Sequence, residues 1–376
     1  MPARDVTACH VTSVHVPTDS RVLYHECRSL ARNWRTVLVC RDNEGPRTLE
    51  GVEIEPLPTR RGRLARFAGA REIVSAAERT EAALYHFHDP ELLPAMASFA
   101  KRTGLPVVYD AHEHYPDAMD QKTWIPAMLR PAAAWWADRL ERRHVPAMSA
   151  VVVADAALKR RFEGMGAGVV ELDNYPPLGL FGETLRRRPS GAPVLVYVGS
   201  VSAVRGFYDM VETLRVVRES HPDAQLRIFG RPTEEVARTL SEFLGALPEG
   251  AVVMHGSQSY GGIREMLSGA SVGLSLLKDH PKYHKNVSMK VFDYMAGGLP
   301  YVASDFAPLR DATGGVGGRL IEPGNPQAAA AAVLALLDDD AQWESASREG
   351  RALIELTLNW ESMEPRLFGL YERLLG

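Results

Sequence analysis

The chain has few cysteines, no long apolar run and no excess of positive charge. Its three cysteines, Cys9, Cys27 and Cys40, all lie in the first 40 of 376 residues and lack the spacing of a metal site. We therefore expect no disulfide framework and a reducing, cytoplasmic location. No apolar stretch approaches the ~18 residues that span a bilayer, and the first residues carry no signal-peptide pattern.

A strongly basic surface is also missing. The formal net charge is −4, so we expect no nucleic-acid-binding function. No Gly-x-Gly-x-x-Gly motif follows the first strand of either half, which argues against a dinucleotide-dependent dehydrogenase. The length suits two globular domains of roughly 150–200 residues each.

Short β-type runs alternate with helical patterns in both halves of the chain. This alternation predicts an α/β fold with two doubly wound, Rossmann-like domains, each built on a parallel sheet. We place these domains at 1–175 and 176–357 and expect an amphipathic C-terminal helix at 358–376. Open α/β sheets bind ligands beyond the carboxyl ends of their strands, so two such domains are expected to face a shared cleft. The predicted strands are 6–11, 36–40, 84–88, 107–110 and 150–154 in the first half, and 194–199, 224–229, 252–255, 272–277 and 301–303 in the second.

The stretch 282–305 is the most informative part of the sequence. A polar loop enters a short helix that carries Lys290 and, one turn further on, Asp293. Gly297-Gly298 ends this helix, and Pro300 prevents its continuation. The start of such a helix suits a phosphate, and the carboxylate can accept hydrogen bonds from a ribose diol. The pattern therefore predicts a nucleotide site.

This stretch resembles the donor-binding segment of GT-B glycosyltransferases of the retaining family 4, in which an acidic helix leads into Met-Ala-x-Gly-x-Pro and a strand. The resemblance implies transfer of a sugar from a nucleoside-diphosphate sugar to an acceptor nucleophile, with retention at the anomeric carbon and with no metal or other cofactor. It also implies that the C-terminal helix packs back toward the first domain. The acceptor class stays open between a small molecule, a lipid-linked molecule and a saccharide, and the oligomeric state is not predicted.

A second loop, 199–206, follows a strand and opens a helix. Its Arg205 is suited to forking onto a diphosphate, although an ordinary turn with a solvated arginine is the alternative. Family members often carry an arginine where this chain has Ser200, and a second acidic residue where it has Lys285. These departures keep open a non-catalytic nucleotide-sugar-binding subunit. A GT-B-like epimerase is a less favoured alternative, because it would need paired carboxylates around the sugar and Lys285 argues against that. The predicted donor-binding residues are Gly199, Ser200, Arg205, Gly206, Gly230, Arg231, Ser257, Asn286, Ser288, Met289, Lys290 and Asp293.

Histidines and carboxylates cluster at two strand ends in the first half, at 86–91 and 110–115. The resemblance implies that His112 approaches the donor sugar near the reacting carbon, and the alternative is a buried structural histidine. A metal site is disfavoured because no spacing typical of metal ligands completes one. Asp19 is expected either to orient the acceptor or to cap the following helix, with Ser20 competing for the second role. The predicted catalytic residues are His112, Arg205 and Lys290, and the predicted acceptor or sugar side comprises Asp19, Ser20, His88, Glu113 and Asn174, the last in a hinge segment.

Apolar and basic residues alternate between 124 and 143. Three tryptophans, Trp124, Trp135 and Trp136, stand among several arginines. This pattern is typical either of a helix that lies on a membrane surface or of a core stripe with a basic solvent face. Peripheral membrane contact is therefore one of the two expectations for this segment.

Overall fold

The computed structural model describes residues 6–59, 63–120, 125–182, 187–245 and 247–376. The chain forms two compact units. The first comprises Met1–Asn174 together with Trp360–Gly376, and the second comprises Tyr175–Asn359. Among the described residues, no helix is both long and apolar enough to cross a membrane. Trp124 lies outside the described residues.

An eight-stranded sheet forms the centre of the first unit. Its order is β3-β4-β2-β1-β5-β6-β7-β8, and every pairing is parallel except that of β3 with β4. Side chains from both faces are fully buried, for example Cys9 and Phe87 on one face and Leu38 on the other. The strands are β1 (Thr7–Val11), β2 (Arg35–Arg41), β3 (Arg47–Leu49), β4 (Val52–Leu57), β5 (Leu84–Phe87), β6 (Val107–Ala111), β7 (Ala150–Val153) and β8 (Gly168–Glu171).

Three of these strands are absent from the sequence-based prediction. β3 is only three residues long, and β4 carries Glu53, Glu55 and Pro56, so neither has the apolar run of a buried strand. The stretch that contains β8 reads in sequence as an inter-domain connection. The structure instead pairs β8 with β7 at the edge of the sheet, where a single partner strand is enough to hold it.

Helices cover this sheet on both faces. The helix that follows β1 begins as a π-type segment, Ser20–Cys27, and continues as α1 (Arg28–Leu30). Gly104, in the left-handed region at φ 70°, ends the helix that follows β5. The remaining helices of residues 6–174 are α2 (Arg63–Glu78), α3 (Leu93–Thr103), α4 (Tyr115–Asp120), α5 (Arg130–His144) and α6 (Ala156–Phe162).

The second unit contains a six-stranded, fully parallel sheet in the order β11-β10-β9-β12-β13-β14. The order of the strands along the sheet reverses between β9 and β12, and this switch point is where open α/β sheets bind ligands. The strands are β9 (Val194–Val198), β10 (Gln225–Phe229), β11 (Val252–Gly256), β12 (Val272–Ser275), β13 (Tyr301–Ser304) and β14 (Gly318–Ile321). The helices are α7 (Phe207–Ser220), α8 (Glu234–Leu244), α9 (Ile263–Leu267), α10 (Met289–Ala296), α11 (Ala307–Thr313), α12 (Pro326–Asp338) and α13 (Asp340–Leu356).

The final segment of the chain returns to the first unit. It consists of a turn at Trp360–Ser362 and helix α14 (Glu364–Leu375). The Trp360 indole donates to the Ser29 hydroxyl at 2.8 Å, and Trp360 and Tyr371 are fully buried. The C-terminal helix is therefore part of the core of this unit.

Candidate active site

Two glycines bring the loop after β9 into close contact with the neighbouring strands. A Cβ atom at Gly206, which has φ +79°, would lie 1.6 Å from the carbonyl oxygen of Leu276. A Cβ atom at Gly230 would lie 1.8 Å from the carbonyl oxygen of Gly199. Only glycine fits at either position, so the loops at the carboxyl ends of β9, β10 and β12 pack with their backbones in contact.

Two predicted cationic residues converge at the first glycine of this loop. A Cβ atom at Gly199 would lie 3.6 Å from the Arg205 guanidinium and 3.7 Å from Lys290 Cε. The Lys290 ammonium also lies 5.3 Å from the centre of the Tyr197 ring. Burial and the neighbouring Arg205 lower the pKa of Lys290 to about 7. The two cations thus destabilise each other until an anion lies between or beside them.

The predicted ribose-binding carboxylate has a partner that the sequence does not reveal. The Tyr260 hydroxyl donates to Asp293 Oδ1 at 2.6 Å. Burial raises the pKa of Asp293 to about 6, although Tyr260 and Lys290 both oppose that rise. Asp293 is therefore mostly ionised at pH 7 and can accept hydrogen bonds from hydroxyl groups.

A pocket of about 260 Å³ lies at the carboxyl ends of β9 and β10. Phe229 in its wall stacks on His255, with ring centres 4.4 Å apart and planes 8° apart. A small, flat-walled pocket of this kind can receive a planar ring. It brings together five predicted donor-binding residues, Gly199, Ser200, Gly230, Arg231 and Ser257.

Three further predicted donor-binding residues surround the start of α10. The Ser288 hydroxyl lies 2.8 Å from that of Ser275, and is thereby held away from the role of helix cap. Asn286 is exposed, and Met289 packs against the apolar core of the second unit. The structure therefore gives the Met289 side chain a packing role.

The first unit holds a separate polar cluster, centred on the fully buried Asp110. The Arg21 guanidinium donates to both oxygens of Asp110, at 2.7 and 2.9 Å. It also donates to the carbonyl oxygen of Leu172 at 2.9 Å and to Asn174 Oδ1 at 2.5 Å. Burial alone would raise the pKa of Asp110, but Arg21 outweighs it and holds that pKa well below its usual range. Asp110 is therefore a permanent buried anion.

A chain of hydrogen bonds leads from α14 to Asp110. The Tyr371 hydroxyl lies 2.9 Å from both His86 Nδ1 and His10 Nε2. His10 Nδ1 lies 2.9 Å from His88 Nε2, and His88 Nδ1 lies 3.1 Å from Asp110 Oδ2. One set of tautomers satisfies all four contacts: His86 donates to Tyr371, and Tyr371 donates to His10. His10 then donates to His88, which donates to Asp110. Burial lowers the pKa of all three histidines, so their rings are neutral, as this chain requires.

His112 contacts this series of hydrogen bonds at the Asp110 carboxylate. Its Nε2 lies 3.0 Å from Asp110 Oδ2, and its side chain keeps a partly exposed edge. A proton on Nε2 that is donated to Asp110 leaves Nδ1 as the outward-facing nitrogen. The neighbouring His15 ring centre is 4.7 Å away. Burial opposes charge on His15, but Asp19 and Asp89 raise its pKa to about 9, so it adds a cation beside His112.

The other predicted residues of the first unit have different surroundings. His88 is buried between His10 and Asp110, so its ring supports His112 and does not line a surface. Asp19 accepts from two backbone N–H groups at 3.0 Å and so caps the helix, a role that Ser20 does not take. Glu113 is exposed, and Asn174 is held by Arg21. Sequence reasoning missed Arg21, His15 and Asp110 as site residues, because only the fold brings them beside His112.

Two groups in the first unit have geometry that resembles a metal site. They are His10, Glu26 and His86, and His88, Asp110 and His112. In the second group, the Arg21 guanidinium already neutralises the carboxylate. In the first, the histidine nitrogens take part in the hydrogen-bond chain, while burial and the nearby Asp110 raise the pKa of Glu26 well above its usual range. A neutral carboxylic acid is a poor metal ligand, so the donor set fits a proton network better than a cation.

A larger cavity, about 510 Å³, lies in the first unit among β2, β3, β4 and the end of α2. Arg35, at the start of β2, donates to both Glu53 oxygens there, at 2.8 and 2.7 Å. Arg35 and Glu53 therefore neutralise each other. The cavity also lies away from the carboxyl strand ends at which the candidate residues meet.

The fold and these two clusters define a GT-B glycosyltransferase, and comparison with protein families agrees. The model described as Glycosyltransferase Family 4 matches residues 20–171, and the model described as Glycosyl transferases group 1 matches residues 192–339. The two matches together span most of the chain. The chain therefore contains a Family 4 and a group 1 glycosyltransferase domain, and the predicted family resemblance and fold class are confirmed.

Individual relatives are distant. Glycogen synthase of Mycobacterium tuberculosis is 25% identical over 179 residues, which cover 47% of this chain and 42% of that protein. The chain thus matches less than half the length of this curated relative. Sucrose-phosphate synthase from Thermosynechococcus elongatus has a similar structure, with a TM-score of 0.73, 17% identity and 98% of each chain covered. Anabaena HepE in complex with UDP-glucose superposes with a TM-score of 0.71 at 14% identity, over 98% of this chain and 99% of that chain.

Proposed function

We propose that this protein transfers a sugar from a nucleoside-diphosphate sugar to an acceptor nucleophile. The observation that carries the proposal is the convergence of Arg205 and Lys290 at Gly199, next to the flat-walled pocket. Two basic side chains, a pocket suited to a planar ring and the Asp293 carboxylate match a diphosphate, a base and a ribose in turn. The HepE complex contains UDP-glucose, so UDP is the first nucleotide to test.

The chemistry follows from where charge develops. Departure of the nucleoside diphosphate leaves negative charge on its terminal phosphate, and Arg205 with Lys290 would stabilise that charge in the transition state. Two side-chain cations and the amino end of α10 already offset the diphosphate, so we propose that no metal is needed. We further propose retention at the anomeric carbon, with His112 contacting the sugar and the departing phosphate helping to accept the acceptor's proton.

Calorimetry with UDP tests the donor site. Arg205→Ala and Lys290→Ala should each weaken UDP binding by about 1.5–3 kcal/mol, the range for hydrogen bonds to charged groups. Arg238→Ala is the matched control, because Arg238 is an exposed arginine on α8 of the same unit. Unchanged affinity in both site variants would refute the assignment, and an equal loss in the control would attribute the effect to net charge.

A non-catalytic nucleotide-sugar-binding subunit is the second candidate. Ser200 and Lys285 favour it, because both depart from the family pattern at positions that the resemblance places toward the donor. Slow hydrolysis of nucleotide sugars separates the two functions: an enzyme releases UDP, and a binding subunit does not. Hydrolysis should persist in EDTA. Its loss on chelation, with recovery on adding magnesium or manganese, would contradict the metal-independent mechanism.

A further inference from the structure

The first unit exposes an apolar and basic surface on and just before α5. We define the Trp–Arg surface by Met128, Leu129, Trp135, Trp136, Arg139, Arg142 and Arg143. The apolar members are 92%, 57%, 63% and 47% exposed, in that order. The structure thus removes the alternative in which these four side chains belong to a core stripe, since all four are exposed, whereas Ile125, just before them, is buried.

The inner face of α5 explains why its large side chains point outward. The helix buries only Ala137 and Glu141 completely. Ala133 and Ala134 pack against a small cluster that includes Ile125. The inner face thus carries short apolar side chains, and Trp135 and Trp136 lie on the side of the helix that is exposed to solvent.

The charges of α5 are sorted by face. Glu141 and Asp138 both pair with Arg161, and Asp138 also accepts from Arg142 at 2.7 Å. Arg139, Arg142 and Arg143 remain exposed. The Arg139 guanidinium lies 5.8 Å from the centre of the Trp135 ring, so apolar and cationic groups share one surface.

We propose that the Trp–Arg surface binds an anionic phospholipid bilayer. Tryptophan favours the interface between water and hydrocarbon, and arginine binds anionic head groups. A second copy of the chain is a poorer occupant, because a two-fold contact would set the same arginines against each other. The proposal does not depend on the sugar-transfer activity.

Vesicle co-sedimentation tests this proposal. The wild-type protein should bind vesicles that contain phosphatidylglycerol and should bind pure phosphatidylcholine at least tenfold more weakly. The double variant Trp135→Ser, Trp136→Ser should lose at least tenfold in affinity for the anionic vesicles. Arg139→Gln and Arg143→Gln should each lose about fivefold, a loss that added salt reproduces in the wild type.

The control is the double variant Phe243→Ser, Leu356→Ser, which removes two exposed apolar side chains of the second unit. It should bind vesicles like the wild type, and both double variants should unfold at the wild-type temperature. Quenching of tryptophan fluorescence by brominated lipid, lost in the Trp135 and Trp136 variant, would support insertion of these rings.

Three outcomes would overturn the proposal. The first is no binding of the wild type to anionic vesicles at low salt. The second is equal binding by the tryptophan variant. The third is self-association of the wild type that this variant abolishes, with no lipid binding, which would assign the surface to a second copy.

Discussion

Binding of a diphosphate should draw a proton onto Lys290. In the free protein, burial and Arg205 lower the pKa of Lys290 to about 7. A bound diphosphate would return this pKa toward the ordinary value of 10.5. By linkage, binding at pH 8 then takes up about 0.9 of a proton, and the affinity falls about fivefold between pH 7 and pH 8.

Calorimetry of UDP binding at pH 8 in buffers of different ionisation enthalpy measures the proton uptake directly. Lys290→Met is the control, because it keeps the length and apolar stem of the side chain but cannot titrate. The variant should bind more weakly and take up no proton from this group. Equal proton uptake by both proteins, or a wild-type affinity that does not change from pH 7 to pH 8, would refute the reasoning.

The lowered pKa of Lys290 also makes the stability of the free protein depend on pH. The pKa of Lys290 is lower in the folded than in the unfolded state, so the charged ammonium destabilises the fold. That cost is fully present below pH 7 and is relieved as the pH rises toward 10.5. Lys290→Met should therefore raise the melting temperature at pH 6, by ~2–4 °C for each kcal/mol gained. A gain that is larger at pH 9 than at pH 6 would contradict this assignment.

Three further predictions concern the other site residues. Asp293→Asn should weaken UDP more than its 2′,3′-dideoxy analogue in calorimetry, because an amide only half imitates a carboxylate acceptor; equal losses would remove the ribose role. His112→Ala should lower turnover far more than donor affinity, and wild-type turnover in a variant with a normal circular dichroism spectrum would make His112 structural. Tyr371→Phe should destabilise the protein by about 1–3 kcal/mol in urea titrations, because it leaves buried nitrogens of His10 and His86 without their partner. An unchanged unfolding midpoint would show that this part of the hydrogen-bond chain contributes nothing.

The sequence predicts the α/β fold well because buried parallel strands carry continuous apolar runs. Ala150–Val153 and Val194–Val198 are clear examples. β14, Gly318–Ile321, is missed because it is four residues long and includes a glycine and an arginine. Its pairing with β13 supplies the stability that its composition does not.

The sequence predicts the candidate site only where several site residues lie on one segment of the chain. Lys290 and Asp293 lie one turn apart on α10, so local periodicity is enough to associate them. The pairing of Arg21 with Asp110 joins residues far apart in sequence, and it forms only when the strands of the first unit are in order. Tyr260 is similar, because its hydroxyl reaches Asp293 from a different loop.

The return of the chain to the first unit has a consequence for biosynthesis. This unit needs Trp360 and Tyr371 to complete its core, although the chain makes the whole second unit before them. A ribosome synthesises proteins from the N-terminus, so the second unit can finish folding while the first still waits for its last helix. Until then, His10 and His86 lack the hydroxyl that joins them. We therefore expect an N-terminal fragment ending at residue 174 to need chaperones or to aggregate, whereas residues 175–359 form a contiguous unit that can fold as one piece.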